Sequence, residues 1–177
     1  MVPRRLAEID WTTWRAKDLA TLTFVIRDGQ MLLIRKKRGL GAGKINAPGG
    51  RLDAGEAWHD GAVREVQEEL RVTPLDPVYL GQNRFQFVDG YSIHVAIFRA
   101  TVIAGVPTET DEAVPMWFDL TRLPYEEMWE DDPLWLPHVI EARSFSGRFI
   151  FDGDVMLDHA IERDASGPPP RHRAGDC

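Results

Sequence analysis

Short apolar runs interrupted by turn residues dominate the beginning of the chain. The segment from Ala20 to Arg38, ATLTFVIRDGQMLLIRKKR, holds two β-favouring runs joined by Asp28-Gly29. An Asp-Gly pair between two such runs is typical of a tight hairpin turn. The pattern therefore predicts two antiparallel strands. The glycine-rich segment GLGAGKINAPGG follows, and we expect it to form a loop that leads into a short strand at 51–53.

A helical pattern comes next, over residues 57–70. Its apolar residues Ala62, Val66 and Leu70 recur at i, i+4 and i+8, which places them in one stripe along an α-helix. We expect this stripe to be buried against a sheet.

The same helix carries three glutamates in the stretch REVQEEL. Glu65, Glu68 and Glu69 stand at i, i+3 and i+4, so their carboxylates share one face, off the apolar stripe. Like charges at this spacing repel by roughly 0.2 to 0.5 kcal/mol per pair in an isolated helix. This cost is small enough for a solvated face and large enough to attract a cation, so the spacing alone leaves both possibilities open.

The second half of the chain alternates strands with one further helix. Predicted strands are 78–88 and 91–103, joined by a turn at Asp89-Gly90, then AVPMWFDL, and a terminal hairpin of RFIFDG and VMLDHAI. Asp132 precedes Pro133 as a helix N-cap would, which predicts a helix to about Phe145.

These elements predict an α+β fold, with a mixed β-sheet sandwiched between helices in α/β/α layers. We expect an N-terminal extension at 1–18, one domain at 19–163 and a proline-rich, disordered tail at 164–177.

Composition narrows the function classes. An apolar content of 44% in 177 residues suits one domain with a real core. A net charge of −7 argues against sequence-independent binding to a nucleic-acid backbone. Such binding depends on Lys and Arg side chains that displace counterions from the phosphates. The single cysteine, Cys177, favours a reducing compartment, and no run approaches the ~20 apolar residues of a membrane span. We expect a cytoplasmic monomer with no nucleic-acid or membrane partner.

The clustered carboxylates suit a hard divalent cation. Mg²⁺ or Mn²⁺ takes carboxylate, carbonyl and water ligands and commonly bridges to substrate phosphates. The five histidines show no ligand spacing, and we interpret them as structural or solvated: His59, His94, His138, His159 and His172. Hydrolysis of a diphosphate linkage is the natural use of such a site.

The spacing around these glutamates resembles the Nudix box. Gly50 is followed after five residues by Glu56, and after seven more by REVQEELRV at 64–72. The only departure is Arg71, where the family has a glycine that ends the helix. The resemblance implies the Nudix fold and cleavage of a nucleoside diphosphate linked to another group.

The resemblance also implies roles for individual residues. It places Arg64 and the three glutamates in the catalytic motif, and it implies these metal ligands: the Gly49 carbonyl, Glu65, Glu68, Glu69 and Glu112. Glu69 or Glu112 could also take the proton of the attacking water. Glu56 and Arg64 are expected to form a supporting ion pair.

Four further segments resemble the oxidised purine nucleoside triphosphatases, the 8-oxo-dGTP diphosphatases that prevent DNA damage by sanitising the nucleotide pool. They are KKRGLGAGKINAPGG, FQFV, TDEAVPMWFDL and MWEDDPLW. The resemblance implies a nucleotide-binding pocket formed by Thr21, Lys36, Asn46, Phe85, Trp129, Asp131 and Asp132. Leu40 stands where an aromatic residue is usual, and Ala47-Pro48 replaces a Gly-Phe pair.

Taken singly, most of these residues also suit an ordinary structural role. Lys36 suits a solvated strand end, Asn46 a turn, Phe85 and Trp129 a core, and Asp132 a helix cap. Together they predict Mg²⁺-dependent hydrolysis of an oxidised purine nucleoside triphosphate to the monophosphate and pyrophosphate. Alternatives are a Nudix hydrolase for a nucleotide sugar or dinucleoside polyphosphate, and a non-catalytic nucleotide sensor.

Overall fold

The structure is a computed structural model, and it describes residues 2–165. Within that range the chain forms eleven β-strands, two α-helices and two single-turn 3-10 helices, Leu6–Glu8 and Tyr125–Glu127. The strands are β1 (Asp18–Arg27), β2 (Gln30–Lys36), β3 (Ile45–Asn46), β4 (Gly49–Arg51), β5 (Thr73–Leu75), β6 (Val78–Phe87), β7 (Ser92–Ala100), β8 (Val102–Ala104), β9 (Ala113–Asp119), β10 (Phe145–Asp152) and β11 (Val155–Arg163). The helices are α1 (Trp58–Leu70) and α2 (Asp132–Ile140). No helix in the described range is long and apolar enough to cross a lipid bilayer.

Nine of these strands form one mixed sheet. Its order is β11-β10-β6-β7-β1-β2-β3, with β4 paired to β1 and β9 paired to β2. The β1–β7 and β6–β10 pairs are parallel, and the other pairs are antiparallel. A separate antiparallel ladder joins β5 and β8.

The predicted hairpin at Asp28-Gly29 is confirmed. Arg27 pairs with Gln30, and both turn residues have positive φ, 51° and 75°. Two left-handed residues in a two-residue loop match the right-handed twist of the flanking strands.

The two helices cover opposite faces of the sheet. Phe24 of β1 packs in one apolar cluster with Trp135 of α2, while its neighbour Val25 packs in another with Val66 and Leu70 of α1. Adjacent residues of a strand point to opposite faces, so the sheet lies between the helices. The predicted α+β fold with α/β/α layers is confirmed.

Helix α1 follows the predicted pattern closely. It begins at Trp58, one residue after the predicted start, and Ala62, Val66 and Leu70 are fully buried. Arg71 follows the helix in the left-handed region, with φ 59° and ψ 25°. The predicted loop before α1 is wrong in one detail, because β3 lies inside it, and the short strand predicted at 51–53 is β4, which begins and ends two residues earlier.

Helix α2 is shorter than predicted. It ends at Ile140, whereas Phe145 already belongs to β10. Ala142 has a φ of 54°, and the Arg143 N–H donates to the His138 carbonyl at 2.8 Å. This is a Schellman-type helix end built without glycine, so the sequence carried no stop signal there.

The N-terminal residues 2–17 pack against the sheet. The Leu6 N–H donates to Asp158 Oδ2 of β11 at 2.8 Å, and Trp14 Nε1 donates to Gln86 Oε1 of β6 at 3.0 Å. The boundaries 1–18 and 19–163 stay a prediction. The predicted disordered tail lies outside the described residues from residue 166 onward.

Candidate active site

Helix α1 packs two of its three glutamates, Glu65 and Glu69, against the Gly49-Gly50 segment of β4. Glu65 and Glu69 are only 9% and 2% exposed, while Glu68 stays open to solvent. The Gly49 N–H donates to Glu69 Oε2 at 2.8 Å, which joins β4 to the helix. Two of the three carboxylates are therefore buried, which a merely solvated helix face would not require.

Gly49 and Gly50 allow this close approach. A Cβ on Gly50 would collide with the Glu65 carboxylate, and a Cβ on Gly49 would collide with the Thr21 carbonyl oxygen of β1. The two positions need glycine because neighbouring groups fill the space of a side chain.

Arg64 organises the carboxylates from the side. Its guanidinium binds Glu56 through two contacts of 2.7 and 2.8 Å, so the predicted ion pair is present. Its Nη1 also donates to Glu65 Oε1 at 2.8 Å and to Glu68 Oε2 at 3.1 Å. Arg64 thus fixes the orientation of two of the predicted metal ligands.

The buried carboxylates are poorly compensated. Burial raises the pKa of Glu69 to about 7, against the lowering effects of the Gly49 N–H and Lys36, and Glu65 and Glu112 raise it further. Burial also raises the pKa of Glu65, and its ion pair with Arg64 offsets this only in part. A nearby divalent cation would favour the ionised form of both groups.

The predicted metal ligands are all oxygen atoms, which suits a hard divalent cation. Their side chains, however, do not converge on one point in the structure. Glu68 is held by Arg64, and Glu112 by an ion pair with Arg38. Within residues 2–165 no three acidic or histidine side chains converge as a ready ligand cluster. Ligation would therefore require rotation of the exposed Glu68 and the partly buried Glu112 side chains.

A cavity of about 330 Å³ opens beside these carboxylates, between the sheet and α2. All seven residues that the sequence assigns to the nucleotide pocket line it: Thr21, Lys36, Asn46, Phe85, Trp129, Asp131 and Asp132. Gly49 and Gly50 line the same cavity, so its lining extends from the aromatic residues to the two glycines that pack on Glu69 and Glu65.

Several of these residues contact other parts of the protein and still keep surface that a ligand could reach. Phe85 stacks on Phe149 at 5.0 Å between ring centroids, and Asn46 Oδ1 accepts the Ala47 N–H at 2.8 Å. Phe85 and Trp129 are only partly buried at the edge of the core, so each keeps surface for a ligand.

Asp131 and Asp132 lie side by side, almost fully buried. Trp135 Nε1 donates to Asp131 Oδ2 at 2.7 Å, and the Trp129 N–H donates to Asp132 Oδ2 at 3.2 Å. Burial raises the pKa of Asp131 to about 6, and burial together with the Asp131 charge raises the pKa of Asp132 well above its usual value. The pair is therefore suited to hold a shared proton near neutral pH.

The interpretation of Asp132 as an N-cap is wrong. Asp131 occupies the cap position, without a side-chain capping hydrogen bond, and Asp132 is the first helical residue. Its carboxylate accepts an N–H that precedes the helix, so burial of Asp132 has no capping role to explain it.

Thr21 supplies a further polar group. Its hydroxyl is fully buried and has no hydrogen-bond partner among residues 2–165. Buried hydroxyls are normally paired, so this group is available to a ligand.

Sequence reasoning missed part of the cavity lining. The missed residues include Phe87 on β6, Ile93 and Val95 on β7, Tyr91 just before β7, Arg51 on β4, and Trp135 on α2. The two-residue period was the available signal, because Phe87 shares the face of Phe85. The chain gave no local sign that β7 lines the same cavity.

Known proteins resemble this chain in both sequence and fold. The NUDIX domain matches residues 17–139. The oxidized purine nucleoside triphosphate hydrolase of Danio rerio is 41% identical over 147 residues, which cover 81% of this chain and 94% of that protein. The enzyme of the same name from Mus musculus is 40% identical over 81% of this chain and 93% of its own length. The crystal structure of a mutator MutT protein from Bacillus halodurans has a TM-score of 0.74 at 25% identity, and covers 86% of this chain and 99% of that chain. The matched range of the NUDIX domain contains every predicted metal ligand as well as Asp131 and Asp132.

Proposed function

We propose that this chain, which belongs to the NUDIX family, hydrolyses oxidised purine nucleoside triphosphates such as 8-oxo-dGTP to the monophosphate and pyrophosphate. The names of the zebrafish and mouse relatives support this substrate class. One structural observation carries the proposal: a single cavity is lined both by the predicted base-binding residues and by the glycines packed on the carboxylate helix.

Nudix hydrolases generally use a divalent metal, and we propose Mg²⁺ here, with Mn²⁺ as a substitute. The Gly49 carbonyl, Glu65, Glu68, Glu69 and Glu112 would hold it. When bound, the metal supplies charge neutralisation on the phosphoryl group and acidifies the attacking water. Water would attack phosphorus directly, with no covalent enzyme intermediate.

The residues of the chain have three tasks in this reaction. Arg64 keeps Glu65 oriented through a hydrogen bond, and it holds Glu68 until that side chain rotates to the metal. Glu69 or Glu112 could accept the proton of the water. The largely apolar cavity would displace solvent from the base, which would strengthen each polar contact inside it.

We propose that Asp131 and Asp132 recognise the purine edge by sharing a proton. The protonated acid donates to a purine carbonyl, and the ionised acid accepts from ring or exocyclic N–H groups. The hydrogen bond from Trp135 keeps Asp131 in place for this role.

A non-catalytic sensor gains nothing from two buried carboxylates on one helix face. Their mutual repulsion and desolvation lower stability in the absence of a cation. We further propose that the protein acts as a monomer on free nucleotides in the cytoplasm.

Replacing Glu69 with Gln tests the carboxylate site. The change keeps the shape and the acceptor for the Gly49 N–H while removing the charge, so kcat for 8-oxo-dGTP should fall by orders of magnitude with little loss of stability. Glu127→Gln is the matched control, because Glu127 is an exposed acid paired only with Arg35 among the described residues. Turnover of Glu69→Gln at the control level would rule out a metal site at this carboxylate.

A further inference from the structure

We propose that Tyr91 determines substrate selectivity in the nucleotide cavity, and that Asp18 and the N-terminal segment 2–17 are positioning elements for it. The proposal rests on the proposed function for the identity of the substrate. It assigns a role to a residue outside the predicted pocket and to a segment outside the predicted domain.

Tyr91 forms part of the cavity wall, and a ring contact and several hydrogen bonds hold it in place. Its ring lies 5.7 Å from the Phe87 ring between centroids, and its hydroxyl donates to Asp18 Oδ2 at 2.9 Å. Its N–H donates to Asp89 Oδ1 at 2.8 Å, and its carbonyl accepts Gln86 Nε2 at 3.0 Å. An aromatic ring held in this way contacts a ligand without losing further rotamer freedom.

Asp18 connects Tyr91 to the carboxylate end of the cavity. The oxygen that accepts the Tyr91 hydroxyl also pairs with Arg51 Nε at 3.2 Å. Arg51 lines the cavity and follows Gly50, which packs against Glu65. On its other side Tyr91 meets Phe87, whose ring is 6.4 Å from that of Trp129. A nucleotide with its base near Trp129 and its phosphates near Glu65 therefore passes the Tyr91 ring.

The N-terminal segment contacts the β6–β7 hairpin, which carries Tyr91, from the opposite face of the sheet. Trp14 Nε1 donates to Gln86 Oε1 at 3.0 Å, and Gln86 in turn holds the Tyr91 carbonyl. The Lys17 N–H donates to Ser92 Oγ at 3.0 Å, one residue beyond Tyr91. The segment thus supports both strands that flank the Tyr91 ring.

Four variants test the arrangement. Tyr91→Phe and Asp18→Leu remove the hydrogen bond between the Tyr91 hydroxyl and Asp18, and Trp14→Phe removes the hydrogen bond between Trp14 and Gln86. Trp11→Phe is the matched control, because the Trp11 indole donates to the Leu6 carbonyl within the same segment and not to Gln86. Melting temperatures verify that each variant folds, and Tyr91→Phe decides alone if another variant does not.

The expected signature is a change in KM without a change in kcat. Loss of one net hydrogen bond should raise KM for 8-oxo-dGTP roughly three- to tenfold in Tyr91→Phe and Asp18→Leu. The effect on dCTP should be smaller, because a single-ring base reaches less of the wall. The Tyr91→Phe/Asp18→Leu double variant should lose no more than the larger single variant, since both single changes remove the same hydrogen bond. Trp14→Phe should show a smaller KM increase, and Trp11→Phe none.

A KM for Tyr91→Phe within about twofold of the wild type would overturn the proposal, as would an equal loss in Trp11→Phe. Failure of the Tyr91 proposal and failure of the proposed function are distinguished by a binding measurement. Isothermal calorimetry in EDTA gives the affinities of wild type and Tyr91→Phe for 8-oxo-dGMP, GMP, AMP and CMP. If the wild type hydrolyses no oxidised purine triphosphate, the proposed function fails. Weaker binding of purine monophosphates by Tyr91→Phe would still support the role of Tyr91, and unchanged binding would reject it.

Discussion

Arg71 is the residue at which this chain departs from the motif of its family, and its conformation predicts a stabilising substitution. The residue follows α1 with φ 59° and ψ 25°, in the left-handed region, and it is exposed. A side chain with a Cβ in this region costs about 1 to 2 kcal/mol. Glycine avoids that cost, although its greater conformational freedom in the unfolded state lowers the free energy of unfolding by about 0.4 to 1 kcal/mol.

We therefore expect Arg71→Gly to raise the free energy of unfolding by about 0.5 to 1 kcal/mol. For a domain of this size the melting temperature should rise by about 1 to 4 °C. Urea unfolding measures the first quantity and calorimetry the second. Activity towards 8-oxo-dGTP should be retained, because the helix end does not carry the carboxylates.

Arg71→Ala separates backbone strain from side-chain effects. Alanine keeps the Cβ in the left-handed region and removes the rest of the arginine, so it should give no gain. An equal gain from alanine, or a loss of stability with glycine, would show that backbone strain at Arg71 does not limit stability.

Three further predictions follow from the cavity and its surroundings. Gly50→Ala should displace the Glu65 carboxylate and lower kcat on the order of 10²-fold, measured by pyrophosphate release under saturating substrate. Asp131 and Asp132 have raised pKa values, so the folded state keeps protons that the unfolded state releases, and stability should fall as pH rises from about 4 through 6 and beyond. Asp132→Asn should lessen that fall in thermal melts recorded as the pH rises above about 4, and an unchanged pH profile would reject the raised pKa. Asn83 is fully buried, and its amide has no hydrogen-bond partner within residues 2–165, so Asn83→Leu should raise the free energy of unfolding by about 1 kcal/mol. A destabilised Asn83→Leu variant would show that the amide is satisfied, for example by an internal water.

The sequence predicted elements that depend on local chemistry. The Asp28-Gly29 hairpin and the buried stripe of Ala62, Val66 and Leu70 were predictable because turn residues and helical periodicity act over a few positions. The α/β/α layers followed from the same elements. The early end of α2 was not predictable, because Ala142 takes a left-handed conformation that its sequence does not favour.

The predicted pocket residues meet in one cavity, although the reason lies in the resemblance and not in periodicity. Tyr91 was missed because its hydroxyl is held by Asp18, 73 residues earlier in the chain, and the parallel pairing of β7 with β1 brings the two residues together. The contacts of Arg64 with Glu65 and Glu68 were also missed, since a sequence does not show which of several acids an arginine meets.

Product analysis tests the central claim most directly. The wild-type protein is incubated with 8-oxo-dGTP, dGTP, a nucleotide sugar and a dinucleoside polyphosphate, each with Mg²⁺ and with EDTA, and the products are separated by chromatography. We predict equal amounts of 8-oxo-dGMP and pyrophosphate, formed only with Mg²⁺ and faster than any product from the other substrates. Release of inorganic phosphate from 8-oxo-dGTP, hydrolysis in EDTA, or faster cleavage of the sugar or dinucleoside substrate would contradict the proposed function.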